Sequence, residues 1–291
     1  MSSAGAECVS APTLMRSTPV AAMSRTVERF TPRETWDFDT ERIGRRVLVY
    51  DHLDSTNTRA AALADADTDA DGLVLVADQQ TAGRGQYGRV WQSRPGSSLL
   101  MSVVLRTPLE VRRPVVLTAW AAVSVAEAIL SLTGVQARIK WPNDLLIRGK
   151  KVCGILIEQS GTAGTVTTIA GIGLNLTQTA DEFTEAILPD ATSLGIVSGG
   201  VIDVRTAAGV VVRKLDTEYA RLLAGDRVAV EADWKWRVGL LGRQVVIDHP
   251  GGGTTTGRLR DMAFDGLEVE TSDGYIRVIA PESVAHIRAQ M

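Results

Sequence analysis

The stretch TAGRGQYGRVW, residues 81–91, concentrates groups suited to an anion: Gly83, Gly85 and Gly88 at the spacing G-x-G-x-x-G, with Arg84 and Arg89 among them. That glycine spacing serves dinucleotide binding when a strand precedes it and a helix opens inside it, so that a pyrophosphate meets the helix N-terminus. A strand is plausible in GLVLVA (72–77), which is apolar and β-branched. A helix is not, because RVWQSRPGSS follows, with Pro95, Gly96 and three serines. This reads as loop running into another strand. Two readings stay open from these residues alone. One is a loop that closes over an anion with amides and guanidinium groups; the other is a surface turn whose glycines only permit positive φ.

A second concentration is KWPNDLLIRGKK, residues 140–151. The chain has five lysines against 26 arginines, and three of the five, Lys140, Lys150 and Lys151, fall in this segment. A compact ammonium on a flexible stem suits a point contact to a carboxylate or phosphate. Lys140 and Lys151 read as functional, and Lys150 as a solvated hairpin tip. Pro142 ends a strand and Asn143-Asp144 form a turn, yet Asp144 can also hold Mg²⁺ or orient a lysine. DSTN (54–57) is either a helix cap or a set of hydroxyl and amide groups for a polar ligand head. GIGLN (171–175) is either a glycine-containing core strand or one whose Asn175 reads a base edge.

The elements that must position these groups follow from periodicity and turn signals. RRVLVYD (45–51), DGLVLVADQ, SSLLMSVVLR (97–106), ARIKW (137–141) and TVTTIAGIGLNL (165–176) read as strands. DLLIRGKKVCGILIEQ (144–159) reads as a hairpin turning at Arg148-Gly149. DSTNTRAAALADA (54–66) reads as a helix capped by Asp54 or Ser55, and RPVVLTAWAAVSVAEAILSLTG (113–134) as a long apolar helix stopped by Gly134. Strand runs joined by hairpins with few helices predict an α+β fold with a mixed or antiparallel sheet. Residues 203–238 read as helical. Beyond Gly239–Gly242, short strands split by glycine and Asp-Gly turns predict a small all-β barrel. The expected organisation is a disordered tail over 1–44, a main domain over 45–239 and a small β domain over 240–291.

Bulk properties exclude several classes. A net charge of −3 gives no general nucleic-acid or membrane surface. Apolar runs are interrupted by Ser, Thr or charge short of the ~18 residues of a membrane span. Two cysteines, Cys8 and Cys153, and three scattered histidines offer neither a framework disulfide nor zinc spacing. A reducing, cytoplasmic setting is the expectation.

STN, QTAGRGQYGRVW, KWPNDL, GKKVCGILIE and GIGLN, in this order from about residue 46 onward, resemble the biotin protein ligases. The resemblance implies a catalytic domain of the biotin/lipoyl ligase type followed by an SH3-like β domain. It implies ATP and biotin as substrates, with Mg²⁺, and the biotin carboxyl carrier domain of acyl-CoA carboxylases as protein partner. It places Ser55, Thr56, Asn57, Gln80, Gly83, Arg84, Lys151 and Gly154 at biotin. It places Arg84, Gln86, Arg89, Trp91, Lys140, Asn143 and Asn175 at the nucleotide. Lys151, Arg89 and Asp144 are its catalytic set, with no protein metal ligand assigned. A lipoate or octanoate ligase or transferase of related fold is one alternative, and a biotin-sensing transcription regulator without turnover is another. Gln86 departs from the family's frequent arginine, and Cys153 from a frequent alanine. About 45 residues precede the first expected strand, without a helix-turn-helix pattern, so the form expected has no DNA-binding module. A monomer or weak homodimer is the expected state.

Overall fold

The computed structural model describes residues 31–290 apart from 163–164 and 184–189. In chain order, the first part comprises strands β1 (Glu34–Trp36) and β2 (Val47–Leu53), helix α1 (Thr56–Ala66), strands β3 (Val74–Gln80) and β4 (Ser98–Thr107) and helix α2 (Pro114–Thr133). Strands β5 (Arg138–Lys140), β6 (Asp144–Ile147), β7 (Lys150–Thr162) and β8 (Thr165–Asn175) follow, then helices α3 (Leu194–Ser198), α4 (Val204–Leu223) and α5 (Arg227–Val238). These eight strands form one mixed sheet in the order β1-β2-β3-β4-β8-β7-β6-β5. Only β2 and β3 pair in parallel, across the α1 crossover, which fits the expected mixed α+β class.

Side chains alternate across a strand, and in β4, β7 and β8 that alternation separates two chemistries. Leu99, Met101, Val103 and Leu105, with Cys153, Ile155, Ala170, Ile172 and Leu174, belong to the buried core shared with α2. The opposite face carries Ser98, Leu100 and Ser102 beside Asn175, Gly173 and Gly171, with Gly154 and Leu156 across from Gly173 and Gly171. One face is therefore packed to exclude water, and the other carries three glycines, Gly154, Gly171 and Gly173, near its centre.

Helix α2 begins with Pro114 at its first turn and ends at Gly134 in the left-handed region, φ 70°. Its 20 residues and mean hydropathy of 1.9 meet the length and composition of a membrane span, which corrects the reading that no apolar run approaches that length. It is instead a core helix: Val116 through Ala126, and then Ala128 and Ile129, are buried, and Trp120 donates its indole N–H to the Leu215 carbonyl of α4 at 3.1 Å. The expected helical region 203–238 divides into α4 and α5 at Gly225, φ 87°, where Asp226 accepts from the Ala229 amide.

The expected disordered tail needs correction over residues 31–44. β1 pairs with β2, and Trp36 and Ile43 are buried. The Asp216 carboxylate of α4 accepts the amides of Glu41, Arg42 and Ile43 at 2.8, 3.0 and 2.7 Å. A partner 173 to 175 residues away thus holds this segment. Residues 1–30 of the expected tail lie outside the described residues.

The C-terminal strands are β9 (Gln244–Asp248), β10 (Thr254–Ala263), β11 (Gly266–Glu270), β12 (Ile276–Ile279) and β13 (His286–Ala289). They pair antiparallel in the order β12-β11-β10-β9-β13. The all-β character is as expected, but β12 and β13 are the sheet's two ends, so the barrel is not closed. The sheet is fused to the main fold by aromatic packing. Trp234 of α5 lies 5.3 Å from Phe264 and 5.5 Å from Trp141 between ring centroids. Trp141 donates to the Val284 carbonyl at 3.0 Å.

Candidate active site

A cavity of about 520 Å³ opens on the glycine face of the sheet, within the range of small-molecule sites. The loop 81–91 forms one wall. It closes on itself through an antiparallel bridge between Arg84 and Val90. The Gly85 amide donates to the Arg89 carbonyl at 2.7 Å, and the Trp91 amide to the Gly83 carbonyl at 3.0 Å. A single 3₁₀ turn, Gln86–Gly88, forms its tip, with Tyr87 at φ 57°. No α-helix opens inside the motif, so its geometry is not that of a dinucleotide turn. A Cβ on Gly83 would stand 2.5 Å from the Trp91 carbonyl oxygen, which explains glycine at the base of the loop.

The Trp91 indole lies over the bare floor: Cβ atoms built on Gly173 and Gly154 would come within 2.6 and 3.0 Å of it. The Lys151 ammonium is 5.8 Å from the Trp91 ring centroid, close enough for cation–π attraction. Lys151 also pairs with Asp144 at 2.6 Å, both side chains mostly shielded from solvent. The backbone of Lys151 is held between the Asp190 carbonyl and the Thr192 amide. The cis peptide Trp141–Pro142 precedes Asn143, whose amide donates to the Ile155 carbonyl at 2.6 Å. Burial raises the Cys153 thiol well above its ordinary pKa, leaving it a small apolar filler on the core face.

At the opposite end, Ser55 occupies the N-cap position of α1 without making the side-chain cap bond. Its hydroxyl is not spent on the helix, and it lines the cavity. The Thr56 amide and hydroxyl both donate to Gln80 Oε1, at 2.7 and 2.9 Å. Ser102 Oγ lies 2.7 Å from Thr56 Oγ1 and 2.6 Å from Asn57 Oδ1. Ser55, Thr56, Asn57 and Ser102 are each buried, so this end of the cavity offers donors and acceptors under an apolar surround.

The cavity wall includes Ser55, Thr56, Asn57, Gln80, Arg84, Gln86, Arg89, Trp91, Lys140, Asn143, Asp144, Lys151, Gly154 and Asn175. Gly83 is the one expected site residue off the wall, at the loop's buried base. Lys140 is exposed, at the end of β5. Asn175 is buried, with its amide donating to the Thr192 carbonyl at 3.0 Å and its oxygen accepting from Gln178 at 3.2 Å. Sequence reasoning passed over Ser102, Glu158, Gln178 and the Arg94–Glu182 pair near the rim. Ser102 had a signal, a hydroxyl inside the apolar run LLMSVVL. Among the described residues no group of three or more His, Cys, Asp or Glu is placed to hold a metal.

The model of the Biotin/lipoate A/B protein ligase family matches residues 49–175, which defines the class to which this sheet and cavity belong. The biotin--[acetyl-CoA-carboxylase] ligase of Mycobacterium tuberculosis is 33% identical over 252 residues, covering 84% of this chain and 90% of that protein. The solved biotin protein ligase of Aquifex aeolicus in complex with biotin and ATP superposes with a TM-score of 0.71. It is 30% identical, over 84% of this chain and 99% of that one. The bifunctional ligase/repressor BirA of Bacillus spizizenii is 42% identical over 165 residues, and there the match spans only half of the relative's length. The chain belongs to the biotin protein ligase family.

Proposed function

We propose that this chain is an ATP-dependent biotin protein ligase. In the first step a biotin carboxylate oxygen attacks the α-phosphorus of ATP. An O–P bond forms, the bond to the β-phosphate oxygen breaks, and pyrophosphate leaves. In the second step the neutral amine of an acceptor lysine attacks the anhydride carbonyl, AMP leaves with the bonding pair, and the nitrogen loses a proton. Both steps build negative charge on phosphate oxygens, so positioning and fixed cations supply most of the catalysis. Lys151 bridges the biotin carboxylate and the α-phosphate, and Asp144, 2.6 Å away, orients its ammonium. Arg89 and Lys140, with no ion-pair partner among the described residues, meet the phosphates. Trp91 packs on the adenine, with Asn175 and Asn143 at its edge. Ser55, Thr56, Asn57 and Gln80 take the ureido ring, the backbone of Gly83 and Arg84 meets the ligand, and Gly154 permits its close approach. Magnesium belongs to the same reading: it would offset charge on the nucleotide's phosphates, and Asp144, on the cavity wall, would be a carboxylate able to hold it.

The observation that carries this reading over a lipoate or octanoate ligase is the buried polar end of the cavity. A ureido ring brings two N–H donors and a carbonyl acceptor. An octanoyl tail brings none, and would leave the buried Ser55 hydroxyl, which is not spent on the helix, without a ligand partner at a cost of about 1–3 kcal/mol. The proposed acceptor is a biotin carboxyl carrier domain of an acyl-CoA carboxylase, a reading supported by the name of the Mycobacterium tuberculosis relative, and the proposed enzyme is a cytoplasmic monomer or weak dimer. The test is pyrophosphate release from MgATP with biotin, lipoate or octanoate, followed by transfer of label to a carrier domain. Release with biotin alone is expected; equal release with octanoate overturns the choice of acid.

A further inference from the structure

Glu158 stands outside the cavity wall, yet one of its oxygens joins two parts of the site. Oε2 accepts from Asn57 Nδ2 at 2.7 Å and from Arg84 Nη2 at 2.9 Å. Asn57 lies at the polar end of the cavity, and Arg84 lies in the glycine loop that walls it. From these contacts we infer that Glu158 is a positioning residue, setting the direction of the Asn57 amide and latching the loop over the ligand.

The direction follows from charge. A carboxylate repels an amide oxygen and attracts an amide N–H, so Glu158 turns Nδ2 toward itself and leaves Oδ1 to Ser102, 2.6 Å away. The Asn57 side chain also rests on Gly171, where a Cβ would come within 2.3 Å of Oδ1. The amide therefore has one seat, and its polarity in that seat is imposed by Glu158. The latch is the Arg84 pair. It is partly open to water, with side-chain exposures of 48% and 38%, so it is weak alone. It ties the loop to β7, and a loop held in this way brings a smaller ordering cost to binding. This assignment rests on the biotin ligase reading, in which the backbone of Arg84, not its guanidinium, meets the ligand.

The experiment compares Glu158→Gln, Arg84→Gln and the double variant with wild type. Glu158→Gln is expected to raise the KM for biotin and the release rate of biotinyl-AMP by about 5- to 30-fold, the span of one or two charged hydrogen bonds partly open to solvent. The KM for ATP should stay within about twofold. The double variant should fall short of the product of the single effects, because both act on one contact. In ligand-free protein, trypsin should cut after Arg89 about 5-fold faster in Glu158→Gln, because the loop is unlatched. Unchanged biotin KM and release rate, or parallel rises in both substrates' KM with multiplicative singles, would overturn the inference. If wild type releases no pyrophosphate with biotin, the functional reading fails; faster tryptic cutting would still support the latch, and unchanged cutting would overturn it.

Discussion

The two faces of β4, β7 and β8 are made by the same strands and differ in almost every respect that matters. On one, Met101, Val103, Ile172 and Leu174 pack beneath α2 at 3% exposure or less. On the other, Gly171, Gly173 and Gly154 leave a floor on which Asn57 and Trp91 rest. The packed core and the cavity floor are thus supplied by alternate residues of one segment. A change of one position along β8 should move the consequence of a mutation from folding to binding.

The adjacent pair Gly173 and Leu174 puts that division to its hardest test. Any side chain at Gly173 must displace the Trp91 indole, which would lie 2.6 Å from its Cβ. Gly173→Leu is expected to slow biotinyl-AMP formation by roughly 10²–10³-fold through misplacement of the ligand wall, with a small change in melting temperature. Leu174→Ala should do the reverse. It empties a fully buried site at a cost of about 2–5 kcal/mol of stability, while the KM values of the surviving folded enzyme stay near wild type. Paired denaturation curves and initial rates decide it. If Gly173→Leu unfolds the protein, or Leu174→Ala changes the KM for biotin, the two faces are not independent.

A step smaller is Lys151→Ala, which removes charge from the ligand side without touching the floor. Loss of a preorganised donor to developing phosphate charge should slow adenylation by about 10²-fold. Lys150→Ala, at the exposed hairpin turn, should change the rate little and serves as its control. Single-turnover formation of biotinyl-AMP measures both, and a wild-type rate for Lys151→Ala would remove it from the mechanism.

How far the chain could be read in advance divides along physical lines. Local patterns located β2 through β8, α1 and α2, because periodicity and turn residues act over a few positions. The cavity's residues were legible because unusual local signals marked them: glycines beside arginines at 83–89, and lysines gathered at 140–151 in a lysine-poor chain. What escaped depends on distant partners. Residues 31–44 look like tail until Asp216 caps their amides. Glu158 looks like the polar end of a strand until the fold brings it to Asn57 and Arg84. Whether the C-terminal strands close into a barrel depends on a pairing between chain-distant edges that turn signals do not encode.

The smallest expected effect concerns Gln86, where this chain has a neutral amide and the family pattern often has arginine. Gln86 lines the main cavity and also a second pocket of about 170 Å³ shared with Trp141, Trp234 and Val284. It therefore stands where the loop tip meets the C-terminal sheet. Arg84 cannot readily substitute for a missing cation here, because its guanidinium is engaged with Glu158. A hydrogen bond from a charged donor is worth about 1.5–3 kcal/mol, against about 1 for a neutral one. The position is half-buried, and solvent screening takes the difference toward its lower end. Gln86→Arg should then slow release of biotinyl-AMP by roughly 3- to 10-fold and reduce labelling of bystander lysines, with melting temperature unchanged because no core-face residue is altered. Release is measured by trapping the freed adenylate after dilution into excess unlabelled ligand. If the arginine variant releases it no more slowly, the remaining cations of the ligand face, Arg89, Lys140 and Lys151, already hold the phosphate, and the loop's charge at position 86 is immaterial.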